Sequence, residues 1–552
     1  NTFKNCGDLV GYSYVIFIHI ESDGKEGLIE FKDNRVEFED AEHACIAIRI
    51  EQPNKELNIN NCSFTKCTKV LNKYETWEST ASFNKLSKLT ISECRFYECG
   101  IANDGGNVIA IQSEVQVSII EYNTIEFTNP QNGGSGVSTY TDNIRIQGNE
   151  FIKCNENTIR VVCKTTGDNQ FEVSDNTFTG SEKGPIIIVV SNYFTKIPII
   201  KNNIFEKIKV NDDKEHGITL RLGRDVDQVV FENNTFNEVE TKYEDFGVQI
   251  ITESTERPTK FEFINCEFKQ NIQSSRRIYH PADPEKEENF ELTYDNCIFE
   301  GNRAKGHGGC LYIKVKQTAT IKNSQFKGNS AEDEGRGGSI YIIGPGTVSI
   351  ENCTFEGDSS SKEGESIYCE GGQLTISTCK FTVKESTTSQ STIYINNHDI
   401  IIINDVEFNN EPVDGGEGDT TPTIMTKGNI EIENPGKISI TGCKFQKTQQ
   451  KRSILYKRTE ESEIQADDLV NIELCEFTEC KGESCYFDIS NNKEENININ
   501  GNIFDKCKKN NDELKSNTIG LSSTSNHVAL TIQNNTFKNC GDLVGYSYVI
   551  FI

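Results

Sequence analysis

Short runs of alternating apolar and polar residues recur along the chain, each ending on a phenylalanine that in most cases closes an Asn/Cys-x-Phe motif. The markers are Phe3, Phe64, Phe96, Phe127, Phe151, Phe178, Phe205, Phe236, Phe268, Phe299, Phe326, Phe355, Phe381, Phe408, Phe445, Phe477, Phe504 and Phe537. Most gaps are 24 to 37 residues. The gap of 61 residues from Phe3 to Phe64 fits two coils, with Phe38 as a degraded marker. Five residues before a marker stands an apolar residue, such as Ile59, Ile91, Tyr122 or Ile376. Seven before it there is usually another, such as Leu57, Leu89 or Leu374, with Thr90 or Thr375 in between. A spacing of two puts one set of side chains on one face of a β-strand. Phe38 fails this test, because Asp33 lies five residues before it.

A second strand follows each turn, often after a glycine pair, as in 105–111, 216–222, 308–315, 337–343, 364–369 and 391–396. Its alternation points Leu311 with Ile313, Ile340 with Ile342 and Ile393 with Ile395 inward. Glycine supplies the positive φ of a tight corner. Coils of about thirty residues that stack like on like predict an all-β, right-handed parallel β-helix of about 18 coils. One coil leaves its strand edges unpaired, so stability must come from stacking. At about 4.8 Å per coil the stack would be on the order of 85 Å long.

A longer period overlies the short one. Residues 1–18 and 535–552 are identical, so the chain of 552 residues reads as one 534-residue super-repeat plus the first eighteen residues of the next. The expected organisation is a single continuous β-helix over 1–552, with loop insertions at 272–290 and 409–428. Neither end shows a cap, as expected of an internal segment of a longer array. The chain starts without Met or an apolar leader, so targeting information is read as missing rather than absent.

Composition supports β structure, with one Met and one Trp in the chain. The net charge of −28 argues against nucleic-acid binding, which needs a basic footprint. No apolar run is long enough for a transmembrane helix.

The pairing of Gly-Gly-x-[Ile/Leu/Val] with Phe-x-x-Asn resembles the repeats of chlamydial polymorphic outer-membrane proteins and their protozoan relatives in the pectin-lyase-like β-helix group. It is carried by Gly308-Gly309-Cys310-Leu311 and Gly337-Gly338-Ser339-Ile340, with Phe268-x-x-Asn271, Phe299-x-x-Asn302 and Phe326-x-x-Asn329. The clean match covers about 265–382. Elsewhere Cys replaces the Asn, as in Phe64-x-x-Cys67 and Phe96-x-x-Cys99. The resemblance implies a β-helix and a surface or adhesive role.

The twenty cysteines fall into columns. Eight stand two residues before a marker, a slot that holds Asn149, Asn176, Asn203, Asn234 or Asn502 in other coils. A second column lies three after it. Small inward groups at a bend explain both columns, although Cys62/Cys67, Cys94/Cys99 and Cys475/Cys480 could bridge. No zinc-ligand spacing is present.

Gly306-His307-Gly308 is the one fragment of a polygalacturonase-like set, and Asp212-Asp213 and Asp467-Asp468 stand alone. The acidic stretches 332–334, 414–419 and 460–463 match no calcium-loop spacing. Catalytic, cofactor-binding and metal-ligating residues are therefore all assigned as none, and the chain is expected not to be an enzyme. Four sequons, at Asn61, Asn233, Asn352 and Asn534, lie beside the inward column, which predicts poor glycan access.

The expected function is structural: the repeating unit of a fibre or filament, with itself as partner through end-to-end continuation and lateral association. The alternative is a cell-surface adhesin or binding protein displaying its loops. The third reading is a carbohydrate-active lyase or hydrolase. The expected location is extracellular or at the cell surface, with an intracellular cytoskeletal filament as the alternative.

Overall fold

The computed structural model describes residues 1–4, 14–20, 27–37, 44–50, 55–67, 79–84, 86–99, 107–128, 135–154, 158–163, 170–181, 187–191, 199–210, 218–222, 228–241, 248–252, 259–273, 290–314, 318–383, 390–410, 429–447, 452–459, 469–480, 483–490, 495–507, 518–524, 528–540 and 550–551. Residues 274–289 and 411–428, and with them most of both predicted insertions, lie outside the described residues. So do Asp212, Asp213, Asp467, Asp468, Phe38 and the acidic stretches 414–419 and 460–463. The chain divides into two compact units: Asn1–Ser274 with Ile278–Phe290, and Ser275–Arg277 with Glu291–Ile552.

Both units are parallel β-solenoids. Within each unit the described strands pair in parallel with their equivalents in neighbouring coils, in a register that sets like residues side by side. In the first unit Phe64 pairs with Phe96, and Phe151, Phe178, Phe205, Phe236 and Phe268 follow one another. In the second the marker column runs from Phe299 to Phe537. The rings stack face on face, for example 4.6 Å apart and 5° from parallel at Phe355–Phe381. Each ring fills the space above the ring below, so the column is a continuous apolar core.

Two markers shift. Val36, rather than Phe38, pairs with Phe3 on one side and Phe64 on the other. Ile125, rather than Phe127, pairs with Phe96 and Phe151. The inward residue five before Ile125 is then Ile120, while Tyr122 is an exposed left-handed corner residue. Aromatic identity misled the reading, because the register is set by the corner and not by the ring.

The column two residues before the marker explains the exchange of Asn for Cys. In the first unit Asn123, Asn149, Asn176, Asn203 and Asn234 form a ladder. Each of the first four donates from its backbone N–H and its Nδ2 to the next Oδ1, at 2.9–3.1 Å. Their Nδ2 groups also donate to a carbonyl of the preceding coil, as from Asn123 to Ile91. Cysteine thiols donate to the same type of carbonyl: Cys94 to Ile59, Cys353 to Ile321 and Cys475 to Ile440. Either residue therefore satisfies a buried backbone oxygen at the bend. The second column does the same one strand later, with Asn271 on the carbonyl of Phe236 and Cys99 on that of Phe64. Cys62, Cys94, Cys99 and Cys475 are free thiols, so none of the three bridges within a coil forms. Cys67 is disulfide-bonded.

Candidate functional site

Among the described residues, nine parallel strands of the second unit make a sheet of their own. They include Leu311–Lys314, Ile340–Ile343, Ile367–Glu370, Ile393–Asn396, Ile430–Glu433, Arg452–Arg458 and Glu483–Ile489. Alternation turns Leu311, Ile340, Ile367 and Ile393 inward, as expected. The opposite face carries Tyr312, Tyr341, Tyr368 and Tyr394 in register. Their rings stack at 4.9, 4.9 and 5.3 Å. Although outward, they are 2–8% exposed.

The turns before Leu311 and Ile340 fold over this tyrosine column. His307 stacks on Tyr341 at 4.5 Å, and its Nδ1 accepts from the Arg336 N–H. The Arg336 guanidinium lies 5.1 Å from the Tyr368 ring centroid, and its Nε donates to Glu363 at 2.7 Å. Further along the sheet the motif returns: Arg452 lies 3.8 Å from the centre of Tyr486 and donates to Glu483 at 2.8 Å. Between the two, Lys457 pairs with Glu431 and Glu433. The tyrosine hydroxyls donate to carboxylates, Tyr368 to Glu370 at 2.9 Å and Tyr394 to Glu433 at 2.5 Å.

Electrostatics fixes these groups in one protonation state. Burial pushes the Tyr341 hydroxyl up to about 12, helped by Tyr312 and Glu370. Burial likewise raises Tyr368 and Tyr394, with Glu370 and Glu433 adding to it. These phenols are hydrogen-bond donors at neutral pH. Burial works against the charges of Arg336 and Lys457, but the facing phenol and carboxylates outweigh it and both stay cationic.

Gly306-His307-Gly308 thus belongs to this face as a stacked imidazole. Sequence reasoning missed the tyrosines, although the repeated Ile-Tyr-Ile triplet was visible. The exposed turn Glu332-Asp333-Glu334 is solvated, with Lys362 on Glu334 at 3.0 Å. Among the described residues no group of three or more His, Cys, Asp or Glu is placed to hold a metal ion. Among the described residues no helix is long and apolar enough to cross a membrane, which says nothing of a β-barrel.

Among the described residues, a buried ion pair and a buried carboxyl also stand out. Arg458 and Glu495 are 1% and 0% exposed at their side chains and pair at 2.5 Å, with the Tyr456 hydroxyl on Glu495 at 3.0 Å. An inward ion pair survives there because each partner is hydrogen-bonded. The other group is Asp358, in the slot three after a marker. Its Oδ1 accepts from the backbone and side-chain nitrogens of Asn329, and its Oδ2 has no partner. Burial raises its carboxyl to about 7.

No protein-family model matches the chain, and no curated protein matches it. The resemblance to polymorphic outer-membrane repeats therefore has no family match behind it, while its β-helix part stands. Solved structures do match. The PL6 family alginate lyase AlyGC is similar at 10% identity and a TM-score of 0.23, over 95% of this chain and 96% of that one. A point mutant of AlyGC is similar at 11% identity and a TM-score of 0.26, over 97% and 96%. The expectation that the chain is not an enzyme stands against matches that are themselves described as lyases. At this identity the likeness concerns the fold alone and transfers no residue, substrate or activity.

Proposed function

We propose that the protein binds an extended, uncharged polysaccharide along the outward face of the nine-stranded sheet. The observation that carries this reading is the repeated Arg-on-Tyr-with-Glu arrangement, Arg336–Tyr368–Glu363 and Arg452–Tyr486–Glu483. The tyrosine faces are used up in stacking, so they serve as a rigid floor and not as a sugar platform. The groups held on that floor keep side-chain exposure, 33% for Arg336, 24% for Glu433 and 27% for Lys457. Fixed donors and acceptors bind hydroxyl groups with little loss of side-chain freedom. Glu363, Glu370, Glu431, Glu433 and Glu483 outnumber Arg336, Arg452 and Lys457, which disfavours a polyanion.

Affinity electrophoresis in gels containing neutral glucan, neutral xylan or alginate tests this. Retardation is expected in a neutral polymer. Arg336→Ala is expected to weaken it about tenfold, the worth of one charge-assisted hydrogen bond, without changing the circular dichroism. Equal mobility of parent and variant, or retardation by alginate alone, refutes it.

The identity of residues 1–18 with 535–552 favours a second reading, tandem assembly into a filament. Asn1 and Asn535 fill the same column slot: the Asn1 side chain bonds Asn34, and Asn535 accepts from Asn502. Electron microscopy of the native protein is then expected to show unbranched fibres with one axial repeat per 534-residue unit. Discrete single particles would refute this reading.

A further inference from the structure

Four sequons fall on one recurring position of the coil, and that position is open to solvent. We propose that Asn61, Asn233, Asn352 and Asn534 are N-glycosylation sites, acceptors for a glycan carried on a lipid diphosphate. In the transfer, the Asn Nδ2 forms a bond to C1 of the donor sugar. The C1–O bond to the lipid diphosphate breaks, and one amide proton leaves.

The geometry corrects the expectation of poor access. Each sequon crosses the bend before a marker strand. The acceptor asparagines are exposed and left-handed, at φ of 51°, 53°, 51° and 56°. The middle residues turn inward: Cys62, Asn234 and Cys353 are buried, and Asn535 is partly buried. Ser63, Thr235, Thr354 and Thr536 then open the marker strands and face outward again. Both groups that define a sequon therefore lie on the solvent side, with the small inward residue between them. A left-handed residue at a one-residue corner points its side chain away from the stack, and Asn is one of the few residues that adopts it readily.

The corner also keeps the acceptor amide usable. Asn61 donates from Nδ2 to Asp33 at 2.7 Å, Asn233 to Asn202 at 3.0 Å, and Asn352 to Asn323 at 2.8 Å. Asn534 donates to Asn500 at 3.0 Å. Each bond uses one of two amide hydrogens. Glycan transfer removes one and leaves one, so the ladder at the corner survives. The same corner supplies internal controls. Asn202, Asn265, Asn296 and Asn323 are left-handed at equivalent bends. Two residues on they have Ile204, Glu267, Ile298 and Gln325 in place of a hydroxyl.

The full chain, secreted from a eukaryotic host behind a heterologous leader, tests this by peptide mass mapping before and after amide-specific deglycosylation. Glycan is expected on all four acceptors and on none of the four controls, in protein that elutes as a folded species with β-type circular dichroism. Thr354→Ala is expected to remove one glycan, and Gln325→Thr to add one at Asn323, with the spectrum unchanged in both. Bare acceptors in folded protein, glycan confined to aggregated chains, or no gain from Gln325→Thr would overturn the proposal.

Discussion

Replacing Gly338 with alanine is expected to destabilise the second unit by about 3–5 kcal/mol, at the upper end of single-residue effects. A Cβ at Gly338 would stand 2.0 Å from the carbonyl oxygen of Glu365 and 2.4 Å from that of Ser359. Both obstacles are backbone of the next coil, so no rotamer change relieves them. The coils would have to part, loosening the bonds from the Gly338 N–H to Gly364 and from the Ser339 N–H to Ser366, at 3.1 and 3.0 Å. Gly309 is in the same position one coil earlier, 1.9 Å from the Gly338 oxygen. The glycine before each serves a different purpose: Gly308 and Gly337 sit at φ of 68° and 66°. The Gly-Gly pair thus joins a left-handed corner to a backbone contact between coils. Gly328→Asn is the control, since Gly328 is left-handed with nothing within 4 Å and Asn tolerates that conformation. Urea unfolding followed by far-ultraviolet circular dichroism measures both. Similar losses in the two variants would contradict the contact argument.

Asp358→Asn is expected to stabilise the second unit above neutral pH and to have little effect near pH 4. Burial raises the carboxyl from its usual 3.8 to about 7 in the folded chain. The folded state therefore holds the proton more tightly than the unfolded state does. The stability this provides is present below about pH 4 and is lost as pH rises through about 7. A shift of about 3 units sets an upper limit on the order of 4 kcal/mol. Asparagine does not titrate, and the neighbouring coils carry Asn302 and Asn329 in this slot. Asn329 reaches the Phe299 carbonyl at 3.1 Å, and an amide at 358 could reach Phe326 in the same way. Thermal melts from pH 4 to pH 8 should show the variant gaining on the parent as pH rises. A constant difference across that range would refute the assignment.

Much of the fold was legible because the coil imposes one spacing on every turn. Markers such as Phe178 and Phe355, and the inward residues Val173 and Ile350 five before them, follow directly from alternation. The misplacements at Phe38 and Phe127 share a cause. Each takes a conspicuous ring for the marker when a smaller apolar residue two positions earlier, Val36 or Ile125, holds the register. The candidate site was less legible. His307 was noticed for its glycines, yet its place depends on Tyr341, which belongs to the next coil. The Arg452–Glu483 and Arg458–Glu495 pairs join residues 31 and 37 positions apart, beyond any local pattern.

The sequence by itself determined that this chain forms stacked parallel coils, and it marked the columns where Asn and Cys exchange. It could do so because strand alternation and coil length are local and repeat. Only the tertiary structure decided which outward side chains are covered, which asparagines reach solvent and where a glycine is indispensable. Those depend on what the adjacent coil places about 4.8 Å away, and that neighbour is some thirty residues distant along the chain.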